Sequence, residues 1–118
     1  MIKFITANNI KIALPDTEDY LISETQDAVD LLGEAYMENC SRIVVFEKNL
    51  NADFFILSKG LAGDILQKFS NYRIKLAIVG DFTKYKSKSL QDFIRESNKG
   101  NSVWFVDNLD IALNVLSR

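Results

Sequence analysis

Ile43-Val44-Val45-Phe46 and, further on, Ile74-Lys75-Leu76-Ala77-Ile78-Val79 decide the fold. The first is a continuous apolar run, the mark of a strand buried on both faces. The second reads as another central strand, ending at Gly80-Asp81. Between them Leu61, Ala62, Ile65, Leu66 and Phe69 recur at helical spacing. A strand, a helix and a second buried strand predict a right-handed crossover in a parallel sheet.

Downstream, the lysine-bearing loop Asp81–Ser89 precedes a helix with Leu90, Phe93, Ile94 and Ser97 on one face. Ser87 and Ser89 both suit its N-cap, Ser89 having Asp92 at the capping-box position. Gly100 stands where a left-handed C-cap is expected. Val103-Trp104-Phe105-Val106 is the last strand, and Asp107 with Asp110 is expected to cap a final helix carrying Ile111, Ala112, Val115 and Leu116.

Upstream, Ser23 and Gln26 form a capping-box signature for a helix with Ala28, Val29, Leu32, Ala35 and Tyr36 inward, ended by Cys40. Ile2, Phe4 and Ile10, Ile12, Leu14 alternate with polar or small residues, as half-buried strands do. Asn8-Asn9 between them predicts a tight hairpin, since asparagine tolerates positive φ. Pro15-Asp16 breaks the second strand. The order is β-β-α-β-α-β-α-β-α over residues 1–118: one α/β domain with a mixed, mostly parallel five-stranded sheet and one antiparallel N-terminal strand.

With 118 residues, 47% of them apolar and 25% charged, the chain has the make-up of a single soluble globular domain. There is no histidine and one cysteine, Cys40. A Ser-His-Asp triad, a Cys-His pair, a zinc finger and an internal disulfide are thereby excluded. Cys40 reads as a small buried hydrophobe. No spanning segment and no signal peptide are expected: Met1–Thr6 lacks a basic start and a long apolar stretch. The expected compartment is the cytoplasm. Residues 1–40 carry two basic against eight acidic side chains, a balance of −6, whereas residues 41–100 carry eleven against six, or +5. Such flanks attract one another between copies, which makes a homodimer one expectation for the partner.

Ligands of parallel sheets bind beyond the carboxyl ends of the strands. Glu47, Asp81 and Asp107 lie at those ends, and such carboxylates, if convergent, hold magnesium, with Lys84, Lys86 or Lys88 to neutralise a phosphate. The same residues also serve as turn and cap formers. Ser58-Lys59-Gly60-Leu61-Ala62-Gly63 places small residues and a lysine at a helix start, where backbone amides meet anions. It matches neither the phosphate-binding loop nor the dinucleotide fingerprint. Gly60 and Gly63 read more simply as permitting close helix packing, on the sheet or on a partner. The lysine loop is weak evidence for nucleic acid in a chain that is acidic overall, and no nucleic-acid partner is expected. No cofactor motif is present.

Across Gly60–Phe69, Asn71–Phe82 and Ser87–Gly100 the chain resembles a bacterial family, domain of unknown function 4180, over nearly its whole length. That resemblance brings no activity with it. The element order is also similar to the domain shared by sulfate transporters and anti-sigma-factor antagonists (STAS), whose second helix starts with an Asp-Ser-Ser-Gly-Leu motif. Here Ser58, Gly60 and Leu61 match, while Leu57 replaces the Asp and Lys59 the phosphorylatable Ser. A fixed positive charge at that place is not switched by phosphorylation, which leaves Ser58 as the alternative acceptor.

The leading expectation is a non-enzymatic regulatory module that binds a protein or its own copy. The contact surface is placed at residues 58–63 and 81–89, through Ser58, Lys59, Gly60, Gly63, Asp81, Phe82, Lys84 and Ser87. An exposed apolar patch near Phe54, Phe55 and Phe82 is expected to mark it. The rival is a small-molecule or magnesium-dependent phosphate-binding protein using Glu47, Asp81 and Asp107.

Overall fold

Asn8 and Asn9 hold φ of 51° and 67°, the paired left-handed conformations of a two-residue hairpin turn. They join β1 (Ile2–Ala7) to β2 (Ile10–Pro15) in an antiparallel register running from Ile2 opposite Pro15 to Ala7 opposite Ile10. The structure, a computed structural model, describes residues 1–118. After the hairpin come α1 (Thr25–Met37), β3 (Arg42–Phe46), α2 (Leu61–Tyr72), β4 (Lys75–Val79), α3 (Lys88–Lys99), β5 (Val103–Val106) and α4 (Leu109–Leu116).

The five strands lie side by side in chain order, and β2 to β5 are parallel. Successive right-handed crossovers that always step the same way must place their helices on the same face. The packing follows that rule. Leu32 of α1, Ile65 and Phe69 of α2, and Leu90 and Ile94 of α3 share one 22-residue core with Ile43, Val45, Leu76, Ile78 and Phe105. The alternate strand residues Ile12, Leu14, Val44, Ala77, Val79 and Trp104 face the other way and meet α4 in a second core of nine residues. One chain thus forms a single α/β domain in three layers: three helices, the sheet, and α4. No helix is long and apolar enough to cross a membrane.

Local details differ from the expectations in instructive ways. The cap of α1 is Glu24 rather than Ser23, because Asp27, not Gln26, receives the backbone N–H groups of Ser23 and Glu24, at 2.9 and 3.1 Å. Tyr36 is exposed and Leu31 takes the inward place, so the apolar stripe of α1 is rotated from the expected one. The helix stops at Met37, and Cys40 follows Asn39, which holds φ 55°. Gly100 is extended, with φ −88° and ψ −165°; the left-handed C-cap belongs to Arg73 at the end of α2 instead. Asn108, not Asp107, caps α4 by accepting the Ile111 N–H at 2.9 Å. Of the two serines expected to suit the cap of α3, Ser87 takes it, accepting from Leu90 at 3.2 Å. Cys40 is buried as expected, its thiol 3.1 Å from the Arg42 carbonyl.

The link between β3 and α2 is structured. It makes three 3-10 turns, Glu47–Asn49, Ala52–Phe55 and Leu57–Lys59, which bury Asn49, Phe54 and Phe55. Phe54, Phe55 and Phe82 are 1, 4 and 7% exposed, so the apolar patch expected of them does not exist at the surface. Their place is inside, as a lid over the helical face of the sheet.

Candidate functional site

Phe46 pairs with Val79 and Val79 with Val106, so the residues that leave β3, β4 and β5 are Glu47, Gly80 and Asp107, in a row along the carboxyl edge of the sheet. Glu47 folds over Gly80. A Cβ at position 80 would lie 2.8 Å from Glu47 Cβ and 2.9 Å from its Oε1, so only glycine admits this approach. The Glu47 side chain is 18% exposed, accepts a hydrogen bond from the Tyr85 hydroxyl and pairs with Lys84 Nζ at 2.8 Å. Burial, and then the hydrogen bond to Glu47, push the Tyr85 phenol well above its ordinary value.

Aromatic packing fixes Tyr85 from the other side. Its ring stacks on Phe55 at 4.8 Å, and Phe82 meets Phe55 at 5.9 Å and Phe105 edge-on at 5.3 Å. Gln91 of α3 donates to the carbonyls of Phe82 and Tyr85 at 2.8 and 2.9 Å. The loop after β4 is therefore tied down by a carboxylate, a ring stack and a side-chain amide. A cleft of about 330 Å³ lies against it, lined by Tyr20, Glu47, Lys48, Phe55, Lys84 and Tyr85 among others.

The expected carboxylate triad does not assemble. Glu47 and Asp107 leave strands that flank β4, two strand spacings or about 10 Å apart. Asp81 is engaged by its own turn: its Oδ1 accepts from the Thr83 hydroxyl at 2.6 Å and the Thr83 N–H at 3.1 Å. Those bonds, the hydroxyl first, hold its carboxyl below the usual range. No three acidic or cysteine side chains stand close enough to hold a metal ion. Lys84, expected to meet phosphate, is spent on Glu47.

The two segments proposed as a contact surface do meet. Ser58 and Ser87, with Ser89, Phe55, Ile56 and Leu57, line one open groove of about 500 Å³ beside the cleft. Ile56, 45% exposed, is its accessible apolar group. Lys59 pairs with Asp53 at 3.3 Å. Gly60 holds φ 80° as it turns the last 3-10 turn into α2, so it is a conformational glycine. A Cβ on Gly60 or Gly63 meets nothing within 4 Å, which overturns helix-on-sheet packing as their reason. Phe82 is buried and belongs to the core rather than to any surface.

Sequence reading missed Asn49, Gly80, Tyr20 and Tyr85. Asn49 is fully buried: its amide donates to the Thr17 and Asp19 carbonyls at 3.2 and 2.9 Å and accepts the Phe46 N–H at 3.0 Å. It pins the acidic loop, and with it Tyr20, to the end of β3. Glycine directly after a central strand was the available signal for Gly80; no local pattern marks the others.

Among known proteins, the family described as Domain of unknown function (DUF4180) matches residues 7–116. No curated protein and no solved structure matches the chain. A match over nearly the whole length, on a fold that uses the same residues from the first hairpin to α4, places the chain in the DUF4180 family.

Proposed function

We propose that the chain is a non-catalytic, cytoplasmic protein-interaction module of regulatory, STAS-like type, and that a partner protein seats in the groove between the last 3-10 turn and the start of α3. The observation that carries this reading is the meeting of Ser58 with Ser87 and Ser89 around exposed Ile56 in one groove of about 500 Å³. An apolar centre with hydroxyls at its rim suits a peptide segment, whose side chain fills the groove while its backbone bonds to the serines. At the position of the STAS phospho-serine, Lys59 is held by Asp53, so regulation works through occupancy of the groove rather than through a phosphate at that residue.

The test is photo-crosslinking from Ile56 in the native cell, with the same crosslinker at Asp110 on α4 as a control. A defined protein captured from Ile56, absent from Asp110 and lost in Ser58→Arg, is the expected result. Equal capture from both positions, or capture that Ser58→Arg leaves intact, overturns the reading.

A further inference from the structure

Beside that groove, and independent of it, the cleft lined by Tyr20 and Tyr85 has the chemistry of a cation site. Three of its side chains are charged: Glu47, Lys48 and Lys84. Lys48 is engaged elsewhere, paired with Glu18 and lying 5.5 Å from the centre of the Phe46 ring. What remains is the Glu47 carboxylate, which accepts the Tyr85 hydroxyl, is backed by the stacked rings of Tyr85 and Phe55, and shares the cleft lining with the half-exposed ring of Tyr20. A carboxylate that is 18% exposed and lies beside aromatic faces attracts an ammonium group through both charge and ring quadrupole.

The chain itself supplies an occupant with that chemistry. The Lys84 ammonium sits 2.8 Å from Glu47 Oε2 and 5.4 Å from the centre of the Tyr85 ring. Its side chain is 56% exposed against 18% for Glu47, so the ammonium end is open to exchange with a second ammonium group of the same charge. The cleft of about 330 Å³ remains open with Lys84 in place. We propose that this cleft binds an alkylammonium group, from a free amine or a partner's lysine, and that Lys84 is its resident competitor.

The experiment is an amide NMR titration of the full chain with n-butylammonium chloride, against sodium chloride at equal ionic strength. Saturable shifts at Tyr20 and Tyr85, unmatched by sodium, are expected. Lys84→Ala is expected to tighten binding about three- to fivefold, the factor set by a half-exposed ion pair. Glu47→Gln is expected to abolish it. Tyr20→Ala, at an exposed position, is expected to weaken it and serves as the reading if Glu47→Gln does not fold. A second titration with a capped Ala-Lys-Ala peptide assigns the source: tighter peptide binding points to a protein lysine, tighter butylammonium binding to a free amine. Shifts reproduced by sodium, unchanged affinity in Glu47→Gln or Tyr20→Ala, or weaker binding in Lys84→Ala overturns the proposal.

Discussion

Gly80→Ala tests the closest approach made to any glycine of the chain. The added methyl would lie 2.8 Å from Glu47 Cβ, 2.9 Å from its Oε1 and 3.2 Å from Phe82 Cζ. The carboxylate tip and the ring have some freedom to move; a Cβ next to the backbone has little, so the end of β3 must shift. Overpacking of this kind costs about 1–3 kcal/mol. Position 80 is not among the positive-φ residues, so alanine brings no backbone strain and recovers about 0.4–1 kcal/mol from a less flexible unfolded chain. The net expectation is a loss of about 1–2 kcal/mol, read as a lower urea midpoint at unchanged slope. Glu47→Gly removes the two closest atoms, so in that background Gly80→Ala is expected to cost less than about 0.5 kcal/mol, a coupling of roughly 1 kcal/mol. A loss below about 0.5 kcal/mol for Gly80→Ala alone, or an equal loss in both backgrounds, refutes the steric argument.

Other consequences follow from single residues. Asn49→Ala removes a buried amide that holds three backbone groups and is expected to cost about 2–4 kcal/mol in thermal unfolding; Asn49→Asp costs at least as much, since a carboxylate then faces the Thr17 and Asp19 carbonyls. Replacing Asn8 and Asn9 together by alanine is expected to lower stability by about 1–2 kcal/mol because both occupy the left-handed region, whereas Asn9→Gly leaves stability equal or higher. The folded state holds the Tyr85 proton more tightly than the unfolded chain, whose phenol titrates near 10.0. Its contribution is therefore complete below pH 10.0 and lost as pH rises beyond it, so Tyr85→Phe is expected to flatten the stability profile in that alkaline range. Asp81 and Asp92 titrate lower in the folded state, Asp81 through Thr83 and Asp92 through Lys88 and Arg95, so their contributions are present above pH 3.8 and fade as the pH falls below it.

The fold was legible because its signals are periodic. Ile43–Phe46 and Ile74–Val79 are too short and too rich in β-branched residues for helices and alternate with amphipathic helical patterns, and Asn8-Asn9 announced its hairpin by residue type. Cap positions slipped by one residue at α1, where Asp27 reaches back to the Ser23 and Glu24 N–H groups, and at α4, where Asn108 stands next to Asp107 and has an equally suitable side-chain oxygen. The phenylalanines failed for a different reason. Phe54 and Phe55 lie in a polar link with no regular period, so nothing local distinguishes a surface patch from the buried 3-10 turns that carry them. The contacts of Glu47 with Tyr85 and of Asn49 with Thr17 span 38 and 32 residues, and spacing within a segment carries no information about such pairs.

The topology explains why the site had to be built from loops. In open parallel sheets a crevice for ligands arises where strand order reverses and neighbouring crossovers go to opposite faces. Here β2 to β5 add in one direction and α1, α2 and α3 stay on one face, so no such reversal exists among the parallel strands. Any concavity at the carboxyl edge must come from the connecting segments. Three of them converge there: the acidic loop brings Tyr20, the 3-10 link brings Phe55, and the loop after β4 brings Lys84 and Tyr85. The in-register pairing of β3 with β4 supplies the common anchor, because it sets Glu47 beside the one residue small enough to let its side chain fold across the edge. A larger residue at position 80 would push that carboxylate away from Tyr85 and remove one of the three ties on the loop. The position of Glu47, and with it the ion pair to Lys84, therefore depends on the absence of a Cβ at position 80, while the ring stack and Gln91 hold the loop on their own account.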